Sequence, residues 1–115
     1  MKKATHNNRV VVINEPNKPP VFSIYRATII GSEGHKTYVG HTGEGIRKRA
    51  RRHVTQKGRN VYEAFHAEPT TLMIVEHLDG ARTRRHAREV EKKHIKRELK
   101  RVGNNLLNVR HATKK

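Results

Sequence analysis

Thr37-Tyr38-Val39-Gly40-His41-Thr42-Gly43-Glu44-Gly45-Ile46-Arg47-Lys48-Arg49-Ala50-Arg51-Arg52-His53 is the stretch whose reading decides the fold. Thr37-Tyr38-Val39-Gly40 carries β-branched and aromatic residues and predicts a short strand. Gly43 and Gly45 break the chain, and an arginine-rich helix is expected from about Ile46 to Gln56. Its less polar face carries Ile46, Ala50, His53 and Val54. Arg49 and His53, four positions apart, are neighbours on that helix. Two readings of the pair stand. It belongs to a solvated basic helix that touches phosphates, or it turns inward toward the preceding strand to address a reacting phosphate.

Working outward, Phe22, Ile24, Tyr25, Ala27, Ile29 and Ile30 predict a strand, and Gly31-Ser32-Glu33-Gly34 a turn into the Tyr38 strand. Residues 1–20 read as a tail or an extra edge strand: Val10-Val11-Val12-Ile13 is apolar, and Pro16, Pro19 and Pro20 set it apart. After Gly58, Val61, Ala64 and Phe65 share one face of a short helix that Pro69 ends. Thr70 to Glu76 predicts a third strand, Asp79-Gly80 a turn, and Ala81 to Val102 a long helix capped by Gly103. The expected fold is α/β, a small, mostly antiparallel three-stranded sheet flanked by helices. The domain would span 21–110, with a basic tail over 111–115.

A chain of 115 residues accommodates one domain, and an apolar share of 33% without tryptophan makes its core thin. No cysteine is present, which excludes cysteine-type zinc fingers and thiol nucleophiles and fits a reducing compartment. No apolar run approaches a membrane span, so the protein is expected to be soluble and cytoplasmic, without a membrane partner. Twenty-six Lys and Arg against ten acidic residues give a formal net charge of +16. Nucleic acid is the partner such a surface selects. Arg47, Lys48, Arg51, Arg52, Lys57 and Arg59 are the expected backbone contacts.

On the long helix, Ala87, Glu91, Ile95, Leu99 and Val102 fall on one stripe, which turns Glu91 toward the sheet. A carboxylate there is expected to be paired with an arginine or bound to a metal. Glu98 lies nearer the same stripe than Glu89 does. Nine histidines raise the question of zinc, but His86 and His94 stand two turns apart, and His35 and His41 flank a strand. The HExxH pattern, a Walker loop, a dinucleotide-binding glycine pattern and a serine elbow are all missing.

Taken in order, these residues resemble the GIY-YIG nuclease superfamily, here as a small free-standing domain. Ser23-Ile24-Tyr25 and Tyr38-Val39-Gly40 stand for its two signatures. Thr42, Arg49 and His53 follow at the family's spacing, Glu91 with Ile95 behind it takes the place of the metal-binding glutamate, and Asn108 that of the closing asparagine. Ser23 departs from the first glycine, and the Gly43-Glu44-Gly45 loop is slightly long. The resemblance implies a metal-dependent endonuclease acting on double-stranded DNA, with Glu91 holding Mg2+ (or Mn2+) and Arg49 neutralising the phosphate. Tyr25 or Tyr38 would orient or deprotonate the water, its pKa lowered by Arg49, His53 and the cation. Gly40, Thr42 and Asn108 would support the site. With little room for a recognition module, low or modest sequence specificity is expected, on nucleoid or host-cell DNA, with a transient dimer where both strands are cut. The competing reading is a non-catalytic basic protein that binds DNA or structured RNA.

Overall fold

Residues 8–108 are described by the computed structural model; the expected basic tail at 111–115 and the first seven residues lie outside them. The elements run β1 (Val10–Ile13), β2 (Phe22–Gly31), β3 (Gly34–Thr42), α1 (Ile46–Thr55), α2 (Asn60–Phe65), β4 (Leu72–Ala81) and α3 (Arg84–Val102), closed by a short 3-10 turn over Gly103–Asn105. The sheet has four strands in the order β1-β4-β2-β3, not three. β2 pairs antiparallel with both β3 and β4, whereas β1 runs parallel to β4, matching Val10 to Met73. Side-chain anchoring just before β1 explains why so short a strand joins. The Arg9 guanidinium donates to the carbonyls of Phe65, Glu68 and Thr71 and lies over the Phe65 ring, 4.3 Å from its centroid.

Two clusters fill the two faces of the sheet. On one, α1 and α2 cover Tyr25, Ala27, Ile29, Met73 and Val75, and α1 buries Ile46, Ala50, His53 and Val54, the face its spacing selects. On the other, α3 packs Ala87 and Val90 against Ile24, Val39 and Ala81. The pleat alternates these sets along β2 and β3, so one strand serves both layers.

The junction between β4 and α3 departs from expectation. Asp79-Gly80 does not turn the chain: β4 continues to Ala81, which pairs with Phe22, and the helix starts later, at Arg84. Gly80 is needed because a Cβ there would come within 2.9 Å of Pro20. Thr83 caps α3 by accepting from the His86 amide at 3.1 Å. The buried arginine-paired carboxylate that the stripe on α3 suggests is Glu98, 4% exposed, not Glu91. Glu98 accepts from Arg26 at 2.7 Å and from Arg101, and Arg26 also pairs with Glu76. Burial would raise the Glu98 pKa, but hydrogen bonds from Arg101 and Arg26 bring it below the usual glutamate value. Arg26→Ala leaves that carboxylate without its cross-layer partner and should cost about 3 kcal/mol in denaturant unfolding. Arg26→Met with Glu98→Leu should recover most of the loss, whereas equal losses in the single and double variants would contradict this account.

Candidate active site

β3 is an edge strand, and the chain's last described residues close part of its free edge. The Leu107 amide donates to the Thr37 carbonyl at 2.6 Å. The Asn108 side chain then behaves as one more strand residue: its Oδ1 accepts from the Val39 amide at 2.8 Å, and its Nδ2 donates to the Val39 carbonyl at 2.9 Å. Just past this clip an open cleft of about 660 Å³ lies beside Tyr38 and His41–Gly43. Its walls come from both layers: Arg49 and Arg52 from α1, Arg84 and Glu91 from α3, Glu44 from the loop, and Phe22 from β2.

On the α1 side the aromatic groups interlock. Tyr25 Oη lies 2.6 Å from His53 Nε2, and the Tyr38 ring meets the His53 ring edge-on, centroids 5.3 Å apart. Gly40 makes this possible, since a Cβ would stand 2.6 Å from Tyr25 Oη and 2.8 Å from Tyr38 Cε2. Tyr25 is 1% exposed and sits behind the cleft, while Tyr38 lines it. The expected lowering of the tyrosine pKa values is not found. Burial raises both, most strongly Tyr25; Arg49 and Arg59 pull the other way but are outweighed. His53 brings no positive charge near neutrality, because burial first, then Arg49 and Arg59, lower its pKa to about 4.

Arg49 is held by the loop between β3 and α1. Thr42 Oγ1 accepts from the Glu44 amide at 3.1 Å, and the Glu44 carboxylate bridges Arg52 at 2.8 Å and Arg49 at 3.4 Å. The Arg49 contact is an ion pair but not a hydrogen bond, so its buried Nε has no acceptor among the described residues. Glu91 comes in from the opposite layer, its side chain 19% exposed, and its Oε1 accepts from His41 Nδ1 at 2.9 Å. Its other oxygen has no hydrogen-bond partner among the described residues. Among the described residues no three His, Cys, Asp or Glu side chains gather as a metal cage. One carboxylate at a polar, open cleft suits a hard cation that keeps most of its water, as Mg2+ does, and does not suit zinc.

The structure therefore brings Tyr38, Arg49 and Glu91 to one cleft, with His53 and Tyr25 behind it and Gly40, Thr42 and Asn108 shaping its floor and edge. Arg47, Lys48, Arg51, Arg52, Lys57 and Arg59 are all exposed; Arg47 is paired with Glu15 at 2.7 Å. Sequence reasoning missed His41, Glu44, Phe22 and Arg84. His41 had a signal, since it alternates with Thr37 and Val39 and so shares the face that α3 covers.

A family model, the GIY-YIG catalytic domain, matches residues 21–106. No curated protein and no solved structure matches the chain. A match over most of the sequence settles the class: the chain belongs to the GIY-YIG family, a family of nucleases, whose substrate is nucleic acid. No helix among the described residues is long and apolar enough to cross a membrane.

The neutral burial of His53 makes stability depend on pH. Its folded pKa lies below the unfolded value of about 6.5, so the unfolded state takes up the proton first. Its contribution is present above pH 6.5 and is lost as pH falls through about 4. Melting temperatures measured between those limits should fall on acidification, and His53→Gln should flatten the decline. A parallel decline in both proteins would contradict the assignment.

Proposed function

We propose that the protein is a divalent-metal-dependent endonuclease that hydrolyses phosphodiester bonds of double-stranded DNA with low or modest sequence specificity. The observation that carries this reading is that Arg49, whose Nε is ion-paired with Glu44 at 3.4 Å without a hydrogen bond, lines one cleft with Tyr38 and Glu91. A guanidinium at an open cleft offers a planar fork of donors, and a phosphate oxygen is an acceptor that it fits well.

Arg49 binds a non-bridging oxygen of the scissile phosphate and offsets the charge that grows there during attack. Tyr38, facing the cleft, orients the attacking water and, in the fraction ionised to phenolate, accepts its proton; the water oxygen joins phosphorus as the bond to the 3′-oxygen breaks, and a solvent proton completes the 3′-hydroxyl. Tyr25 and His53 hold the Tyr38 ring rather than meet the substrate. Glu91, steadied by His41, would hold Mg2+ or Mn2+. Such a cation supplies charge stabilisation at the phosphate and at the leaving 3′-oxygen. Exposed Arg47, Lys48, Arg51, Lys57 and Arg59 seat the backbone, so affinity should fall steeply with salt. One site cuts one strand, and a double-strand break takes two copies or two successive nicks. The site's setting is nucleoid or host-cell DNA.

Plasmid nicking with and without Mg2+ tests this directly. Arg49→Ala and Glu91→Gln should each lower nicking by about a hundredfold or more while duplex binding persists. Glu91→Gln keeps an acceptor for His41, so its melting temperature should stay close to the parent's. A folded, binding-competent Glu91→Gln protein that nicks at the parental rate would sink the assignment of the cation to Glu91, and a parent protein that does not nick with Mg2+ would sink the endonuclease reading.

Because burial raises the Tyr38 pKa, its deprotonated fraction, and with it the rate, should climb steadily from neutral toward alkaline pH. His53, whose pKa is lowered to about 4, contributes no inflection near pH 6.5. Tyr38→Phe should abolish the climb, and Tyr25→Phe should keep it. The reverse pattern would transfer the role to Tyr25.

A further inference from the structure

The cations of the cleft are not neutralised evenly. On the α1 side, Arg49 and Arg52 share the carboxylate of Glu44, the protein's own anion. On the α3 side, Arg84 lines the same cleft and has no carboxylate partner among the described residues. What holds it is the Phe22 ring, with the guanidinium carbon 5.2 Å from the centroid. The Phe22 ring in turn meets His41 edge-on at 6.4 Å, and His41 is bonded to Glu91. Arg84, Phe22, His41 and Glu91 thus form one continuous wall opposite Arg49. A guanidinium stacked on an aromatic face is pre-ordered but keeps all of its donors free, because stacking uses none of its N–H groups.

We propose that Arg84 on its Phe22 bed is a second phosphate seat, taking a backbone phosphodiester that flanks the scissile one on the α3 side of the cleft. This rests on the endonuclease reading and deepens it. The strand lies across the free end of β3, with one phosphate engaged by Arg49 and a neighbouring one by Arg84. Arg84 binds substrate and takes no part in bond breaking.

Neutral methylphosphonate links, placed singly in one strand of a duplex, test the seat. In the parent protein, each neutral link should suppress cutting at its own position and at one further bond, a fixed distance to one side. Arg84→Ala should lose the flanking suppression and keep the central one, and Arg84→Lys should retain part of it. Arg88→Ala, altering an exposed arginine one turn along α3 that does not line the cleft, should leave the whole pattern intact. A second measurement needs no hydrolysis: in the Glu91→Gln background, Arg84→Ala should reduce the slope of log affinity against log salt by about one. Flanking suppression that survives in Arg84→Ala, or an unchanged salt slope, overturns the proposal. A parent protein that fails to nick plasmid with Mg2+ would instead overturn the endonuclease reading, and the salt slope would still decide whether Arg84 seats a phosphate.

Discussion

The site depends on how the free edge of β3 is closed. An edge strand presents unpaired amide and carbonyl groups, and here a side chain finishes the job that another strand would do. Asn108, the last described residue, bonds both backbone groups of Val39. The cleft lies beside the next stretch of β3, at His41 and Thr42. Only at a sheet edge can residues from both layers reach one point, and so Arg49 of α1 and Glu91 of α3 face a common space although they pack on opposite faces. Loss of the clip would loosen the strand that carries Tyr38 and His41 together.

Electrostatics within the cleft follow from burial as much as from charge. A net charge of +16 favours ionised tyrosines, yet desolvation outweighs the nearby arginines and raises both phenol pKa values. His53 is driven to the neutral form by the same burial. The interior of the site is therefore an uncharged aromatic block, and the charged groups, Arg49, Arg52, Glu44, Arg84 and Glu91, stand around its mouth. That division suits a polyanionic substrate, which can be gripped at the rim without burying many charges.

Much of this was legible in the sequence because it rests on local periodicity. The face of α1, the β2–β3 hairpin and the family signatures all follow from residues close together in the chain. What escaped depends on contacts between distant segments. The parallel pairing of β1 with β4 is secured by Arg9 reaching residues more than fifty positions away, which no local pattern shows. Gly80 reads as a turn residue but is small because Pro20 lies against it. On α3 the sequence puts Glu91 and Glu98 near one stripe. Only Arg26, from another layer, decides that Glu98 is the buried, structural carboxylate, and only His41 marks Glu91 as the one at the cleft.

The central claim is that Glu91 holds a divalent cation at the open end of β3. Titrating Mn2+ into the isotopically labelled protein and following paramagnetic broadening tests it without substrate or turnover. The account predicts that broadening at low metal centres on Glu91, His41 and Tyr38, and that Glu91→Gln abolishes it while the remaining spectrum is unchanged. Broadening centred instead on Glu76, Asp79 and Glu98, or an identical pattern in the Glu91→Gln protein, would contradict it.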